Sequence, residues 1–202
     1  MKGYHYIKRG IDIILSGMAI VILSPLLLFL CIAIKLDTPG PILFKQKRVG
    51  IHRSFFQIYK FRTMRIDTPK DVPTHMLENP EQYITKVGKF LRKTSLDELP
   101  QIFNIFKGEM SIVGPRPALW NQDDLVAERE KYGANDVTPG LTGWAQINGR
   151  DELEIPDKAR LDGEYVKHLG PWMDLKCFLG TIGSVLMHDG VVEGCLLYTS
   201  PS

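Results

Sequence analysis

The chain has 202 residues, enough for a membrane element plus one compact domain and too few for two large domains. Its 25 Lys and Arg stand against 23 Asp and Glu, a formal charge of +2, which excludes the basic bias of a protein built to hold nucleic acid. Cys31, Cys177 and Cys195 form no CxxC pair and leave one thiol unmatched in any disulfide scheme, so neither a metal knuckle nor a secreted disulfide framework is indicated and a reducing cytoplasm fits.

The first element is the apolar run from Ile11 to Ile34, in which Asp12 is the single charge. At about 1.5 Å per residue it is long enough to cross a hydrocarbon core of about 30 Å. It exceeds the apolar core of a cleaved signal, so it is expected to remain in the mature chain. Lys2, Lys8 and Arg9 precede it and Lys35, Lys45, Lys47 and Arg48 follow it, and the positive-inside tendency assigns both ends to the cytoplasm. Ser24-Pro25 lies near its middle, where proline removes a backbone donor and a serine hydroxyl can satisfy a freed carbonyl. Two readings stand at this point. One is a proline-kinked spanning helix, the commoner case; the other is a re-entrant helical hairpin bent at Ser24-Pro25, which the charge symmetry favours.

The turn-rich DTPGPILF marks a boundary near Asp37, dividing the chain into a membrane segment at 1–37 and a soluble domain at 38–193. The β-prone runs Ile42–Phe44 and Phe55–Tyr59, separated by KQKRVGIHRS, predict a short hairpin. The polar stretch from Arg65 to Tyr83, with Pro69, Pro73 and Pro80, reads as a mobile surface loop or lid. Helical spacing follows in Val87, Phe90 and Leu91 and again in Leu99, Ile102, Phe103 and Phe106. The second group suits either a core-facing helix or one lying in the membrane interface. Two more helices are expected between Leu161 and Met187, the last with Trp172, Leu175, Phe178, Leu179, Ile182, Val185 and Leu186 on one face, packed inward or on lipid. The predicted class is α+β, mainly helical. No GxGxxG, GxxxxGK[ST] or HExxH occurs, so a bound nucleotide would not rest on a standard phosphate loop.

The densest chemistry lies in LRKTSLDELPQ, residues 91–101. Pro100 fits the first turn of a helix, so Leu96 or Asp97 is the expected N-cap and Asp97 and Glu98 fall at a helix N-terminus. Unpaired N–H groups there favour an ionised carboxylate and an incoming phosphate alike. Adjacent helical residues point about 100° apart, so one acid can attack while the other holds a metal. A cap and a dipole-complementing acid explain the same residues structurally. Arg92 and Lys93 can bind phosphate or form a solvated basic face. Gly114-Pro115-Arg116-Pro117 presents Arg116 between residues of fixed φ, or is simply a rigid turn. Pro139 to Arg150, with three glycines, Trp144, Gln146, Asn148 and Arg150, suits a ligand-lining loop or a packed connection.

Taken together and in order, KFRTM (60–64), LRKTSLDELPQIFNIFKGEMSIVGPRP (91–117), PGLTGWAQINGR (139–150) and DLK (174–176) resemble the bacterial sugar transferases, specifically the small monotopic phosphoglycosyl transferases of the PglC type. The resemblance covers nearly the whole chain through about residue 190. It implies a re-entrant membrane helix broken at Ser24-Pro25, a small catalytic domain with amphipathic interfacial helices on the cytoplasmic face of the bacterial inner membrane, and transfer of a phosphosugar from a UDP-sugar to polyprenyl (undecaprenyl) phosphate. By resemblance Asp97 is the nucleophile that forms a covalent phosphosugar with release of UMP, Glu98 binds Mg²⁺, and Arg92 is a basic active-site residue. Arg116, with Pro115, Lys60, Arg62 and Arg150 of the shared motifs, is expected to bind substrate. The sugar stays open between N-acetylated amino sugars and hexoses. Residues 194–202, GCLLYTSPS, match no segment of the family and read as an atypical tail resembling translated adaptor sequence.

Overall fold

A computed structural model describes residues 2–68, 80–149 and 153–187. Helix α1 (Lys2–Asp37) runs as one helical element through Pro25. Proline cannot donate to the carbonyl four residues back, that of Val21, and the Ser24 hydroxyl donates to this same oxygen at 2.8 Å. The Ser24 hydroxyl thus satisfies a carbonyl that the proline leaves without its backbone donor.

Both ends of α1 are fastened to the rest of the domain. Near the start, Lys8 and the Tyr4 hydroxyl donate to Asp174 at 2.5 and 2.7 Å, and Arg9 donates to the carbonyls of Ile105 and Phe106 at 2.6 and 2.8 Å. Asp12, the charge within the apolar run, is buried and accepts the Ile112 N–H at 3.0 Å. Towards the far end, Leu27, Leu30 and Ile34 bury against Phe61, Leu91 and Ile102. There Asp37 accepts the Val87 N–H at 3.1 Å, an otherwise unpaired donor in the first turn of the next helix. The opposite face of α1, with Ile14, Val21, Ile22, Leu28 and Phe29, is exposed.

Strands β1 (Leu43–Val49) and β2 (Phe55–Phe61) form an antiparallel hairpin with Leu43 opposite Phe61 and Val49 opposite Phe55. The basic residues Lys45, Lys47 and Arg48, predicted to lie in the turn, belong to β1, because the reversal is confined to Gly50–Ser54, where His52 and Arg53 take positive φ. Helix α2 (Lys86–Lys93) starts at Thr85, whose side chain accepts the Gly88 N–H at 2.9 Å. Helix α3 (Gln101–Lys107) ends at Gly108, at φ 92°. Ile102 and Ile105 face the core, as the core-facing reading of this segment expects, while Phe103 and Phe106 are exposed on the other side of the helix.

The rest of the chain forms β3 (Ser111–Val113), α4 (Asp123–Glu130), β4 (Gly140–Thr142), α5 (Trp144–Ile147), α6 (Ile155–Lys167) and α7 (Pro171–Met187), with β3 and β4 paired in parallel. α7 buries Met173 and Cys177 but leaves Trp172, Leu175, Phe178, Leu179 and Ile182 exposed, Trp172 at 67%. Its apolar face therefore points outward; the side chains of Val185 and Leu186 lie outside the described residues, as does the 194–202 tail.

Gly88 sets how closely α2 approaches the 62–64 segment. A Cβ there would meet the Thr63 carbonyl oxygen at 2.1 Å, a backbone atom that cannot swing aside. Gly88→Ala is expected to destabilise the protein by about 2 kcal/mol through overpacking. Gly183→Ala, in open space on α7, should be neutral or slightly stabilising. Denaturant unfolding of the two purified variants side by side checks this.

Candidate active site

Asp97 and Glu98 sit in a 3₁₀ turn, Leu96–Glu98, between α2 and α3. The expected cap at Leu96 or Asp97 is corrected to Ser95, which takes the left-handed conformation at φ 55° and ends the run of α2. The turn starts early because i to i+3 bonds form from Glu98 N–H to Ser95 and from Leu99 N–H to Leu96, and Leu99 and Pro100 then lead with helical dihedrals into α3. Both acids consequently belong to the first turn of a composite helical segment rather than to its cap.

The two carboxylates have opposite surroundings. Glu98 Oε1 accepts Lys60 Nζ from β2 at 2.7 Å and lies 3.4 Å from an Arg116 guanidinium nitrogen, with a quarter of its side chain exposed. Burial by itself would raise its pKa, but Arg116 and Lys60 outweigh this and bring it down to about 2. Among the described residues no side chain donates a hydrogen bond to Asp97. Burial is the chief cause of its raised pKa, and the Glu98 charge adds to it, against the opposing pull of Lys60 and Arg92. Arg92, in the last turn of α2, is steadied by its Nε bond to Thr63 Oγ1 at 3.0 Å.

Asp97, Glu98, Lys60, Arg92 and Arg116 are therefore one constellation. Arg62 is not part of it. It lies just past the end of β2, buried, and its guanidinium donates to the carbonyls of Thr38 and Pro39 at 2.7 and 2.6 Å and to the Thr38 hydroxyl at 2.9 Å. Expected among the substrate-binding residues, Arg62 here clamps the exit of α1 with its side chain, which does not reach the acidic pair. Pro115 is buried and acts through its backbone, accepting the Gly140 N–H at 2.9 Å, while Gly114 N–H donates to Thr142 at 2.8 Å. These bonds stitch the Gly-Pro-Arg-Pro turn to β4. Lys93 is exposed.

Sequence reasoning missed Arg129 and Asp162. Arg129 reaches from α4 to donate to the Arg116 carbonyl at 3.0 Å and to Asp162 Oδ2 of α6 through Nε and Nη2 at 2.8 and 2.6 Å. Both are almost fully buried, at 4% and 1% exposure. Nothing local in EREKY sets this arginine apart; its role arises from α4 packing on α6. The 139–149 stretch is tied to its surroundings as a packed connection is, Trp144 Nε1 donating to Glu164 of α6 at 3.0 Å and Gln146 Nε2 to the Leu141 carbonyl within the stretch at 2.9 Å. Arg150 lies outside the described residues, and so does most of the Arg65–Tyr83 loop. The base of that loop is closed by Arg65 N–H donating to Tyr83 at 2.8 Å and by a Met64–Ile84 bridge.

Among the described residues no group of three or more His, Cys, Asp or Glu could by itself hold a metal ion. The adjacent pair Asp97-Glu98 nonetheless fits Mg²⁺, which is commonly held by one or two carboxylates together with substrate phosphates rather than by an all-protein cage.

Two carboxylates thus lie among Lys60, Arg92 and Arg116, in a domain packed against a helix long and apolar enough to cross a membrane. The chain belongs to the bacterial sugar transferase family, whose model matches residues 3–188. It is 40% identical over 189 residues to the UDP-glucose:undecaprenyl-phosphate glucose-1-phosphate transferase of Escherichia coli (strain K12), covering 87% of this chain and 39% of that protein. The enzyme of the same name from Caulobacter vibrioides (strain ATCC 19089 / CIP 103742 / CB 15) is 41% identical over 191 residues, covering 90% of this chain and 70% of its own length. The uncharacterized sugar transferase EpsL of Bacillus subtilis (strain 168) is 38% identical over 187 residues, at 93% and 91% coverage. The chain thus spans about two fifths of the Escherichia coli relative and nearly all of the Bacillus one.

The contrasting electrostatics give the two acids opposite effects on stability. Glu98, with its pKa depressed in the folded state, stabilises the fold above the ordinary glutamate range, and this contribution is lost as pH falls through about 2. Asp97, with its pKa raised, favours the fold when protonated and opposes it once pH rises through its folded value. Thermal unfolding at pH 7 should find Glu98→Gln less stable, on the order of 3 kcal/mol, and Asp97→Asn at least as stable as the native protein.

Proposed function

We propose that this protein transfers a phosphosugar from a UDP-sugar to a polyprenyl phosphate through a covalent aspartyl intermediate on Asp97. The observation that carries this reading is the contrast between the neighbouring acids. Glu98 is held anionic and immobile by Lys60 and Arg116, while Asp97 accepts no side-chain hydrogen bond among the described residues and faces the field of Arg92 and Lys60. A carboxylate with few hydrogen bonds to shed is the better nucleophile. The names of the Escherichia coli and Caulobacter relatives support the donor and acceptor classes.

In the first half-reaction an Asp97 carboxylate oxygen attacks the sugar-linked phosphorus. The bond from that phosphorus to the bridging oxygen breaks, and UMP leaves with the electron pair. In the second, a phosphate oxygen of the polyprenyl phosphate attacks the same phosphorus, the acyl phosphate bond breaks and the Asp97 carboxylate returns. Arg92 and Lys60 offset charge on the transferring phosphoryl group, and Arg116 lies where it can meet the oxygen that departs. Mg²⁺, held by Glu98 together with diphosphate oxygens, would supply further neutralisation of the diphosphate.

We read α1 as re-entrant, with both ends on the cytoplasmic face of the inner membrane. Its 36 residues have a contour of about 54 Å at 1.5 Å per residue. Yet the polar anchors at Tyr4, Lys8, Arg9 and Asp12 and those at Asp37 and Thr38 all engage the same soluble domain. A straight crossing would put one set of these partners on the far side of the bilayer or in its core. The exposed apolar faces of α1 and α7, with Phe103 and Phe106 of α3, supply the surface that lipid would cover.

Incubation of detergent-solubilised protein with a panel of UDP-sugars and Mg²⁺, without acceptor, should release one equivalent of UMP with the cognate donor. Asp97→Asn should release none, and Arg92→Gln should be slower by about a hundredfold or more, as for loss of a preorganised charge stabiliser. Because Arg92 lowers the Asp97 pKa, its removal should also move the acid limb of the UMP burst to higher pH. UMP that appears only when polyprenyl phosphate is added would sink the covalent step and favour direct transfer.

A further inference from the structure

The hairpin of β1 and β2 turns one face inward, where Lys60 meets Glu98 and Ile58 is buried against Ile105 and Met110. Side chains alternate along a strand, so the neighbours of these residues point the other way. On that second face Lys45 stands opposite Tyr59 and Lys47 opposite Gln57, and both lysines are exposed. Lys107, at the end of α3, joins them by donating to the Tyr59 hydroxyl at 2.8 Å. The ammonium groups lie over aromatic rings: Lys45 and Lys107 are 5.6 and 4.6 Å from the centre of Tyr59, and Lys47 is 4.0 Å from Phe55 and 5.9 Å from Trp120. Such contacts hold a cation in place while its N–H groups stay available to a further anion.

The three lysines differ from the other cations of the hairpin in what they face. Arg53 pairs with Glu130 at 2.7 Å, Lys60 with Glu98 at 2.7 Å, and His52 bonds Asp136 at 3.0 Å. Among the described residues Lys45, Lys47 and Lys107 form no ion pair. Glu109, whose charge reaches Lys107, is itself bonded by the Asn104 amide at 2.7 Å. Positive charge without an acid partner is thus confined to the middle of the hairpin, and the tip is neutralised.

The placement of this patch against α1 points to its partner. The base of the hairpin adjoins the apolar helix, since Phe61 is buried with Leu27, Leu30 and Ile34. The Phe106 ring, one residue before Lys107, stands over Gly17 in the apolar run. From the base outward β1 passes from the exposed Leu43 and Phe44 to Lys45 and Lys47, and then to the paired tip. Apolar residues, then lysines among aromatic rings, then paired polar groups follow the order of a surface rising from hydrocarbon through headgroups into water. We propose that Lys45, Lys47 and Lys107 bind anionic phospholipid headgroups of the leaflet that holds α1, with Tyr59, Phe55 and Trp120 as their aromatic backing. The assignment rests on the reading of α1 as a membrane helix. Because Lys60 projects from the other face of the same hairpin, headgroup contact here also fixes the height of the acidic pair above the bilayer.

The test is lipid selectivity of the full-length protein in nanodiscs of phosphatidylcholine mixed with phosphatidylglycerol. It is read from the motionally restricted spectrum of spin-labelled phosphatidylglycerol against that of spin-labelled phosphatidylcholine. Native protein should restrict the anionic probe preferentially. The Lys45→Gln/Lys47→Gln/Lys107→Gln variant should lose about fivefold or more of that preference, the factor one lysine contributes at an anionic surface. The corresponding triple arginine variant should keep it, and raised ionic strength should remove most of it. Arg53→Gln, at the paired tip, should leave it unchanged. A preference unaltered in the triple glutamine variant, or lost equally in Arg53→Gln, would overturn the assignment. So would lysine-dependent binding of heparin in pure phosphatidylcholine discs without preference for the anionic lipid, which would put a soluble polyanion on this face. Equal restriction of both probes by native protein would refute the headgroup contact and leave α1 in the bilayer. Restriction of neither would refute the membrane reading of α1 and the assignment with it.

Discussion

The grip of Lys60 and Arg116 on Glu98 is the interaction on which the rest of the site depends. Lys60 comes from β2, 38 residues before the glutamate, and Arg116 from the turn after β3, 18 residues beyond it. One carboxylate oxygen thus joins the hairpin, the acidic turn and the Gly-Pro-Arg-Pro turn. A buried carboxylate is costly without partners, and the two cations more than offset that cost here. Asp97, one residue away, is left in surroundings that raise its pKa, the usual condition of a group kept reactive at some expense to the fold.

Behind this grip stand two supports. Arg129 and Asp162 form a buried pair that holds the Arg116 backbone, and Gly114 and Pro115 bond to β4, so the guanidinium is presented from a segment fixed on both sides. On the other flank, close contact at Gly88 sets α2 against Thr63, which in turn bonds Arg92. The cationic groups around the acids therefore take their positions from packing and backbone bonds laid down outside the site. In the reaction proposed for this protein, such preorganisation would let charge developing on a phosphoryl group be met without rearrangement.

Much of this was legible in the amino-acid sequence, and the parts that were not share a cause. The apolar run, the hairpin, the split between α2 and α3 and the outward stripe on α7 are periodic or compositional signals that act within a few residues. The Asp97-Glu98 pair stood out because acids, a basic pair and a proline fall within eleven residues. Ser95 as the cap was missed because a left-handed serine is an uncommon choice, set here by the sharp reversal between α2 and the 3₁₀ turn. β3 and β4 are three residues each and gain their pairing from residues nearly thirty positions apart, leaving no alternation to read. Arg62 looked like a ligand because it belongs to a basic motif. The end of β2 at Phe61 sends it to the exposed carbonyls at the exit of α1. Arg129 and Asp162 gave no local sign at all, since their meaning lies in the packing of α4 on α6.

The most direct test of the account is to locate the covalent group. Protein treated with its cognate UDP-sugar and Mg²⁺ without acceptor, then proteolysed and sequenced by tandem mass spectrometry at low pH, should carry the phosphosugar mass on the peptide spanning Leu96–Gln101, on Asp97 and not on Glu98. A modification on Glu98, or a burst of UMP with an unmodified peptide, would contradict the division of roles between the two acids.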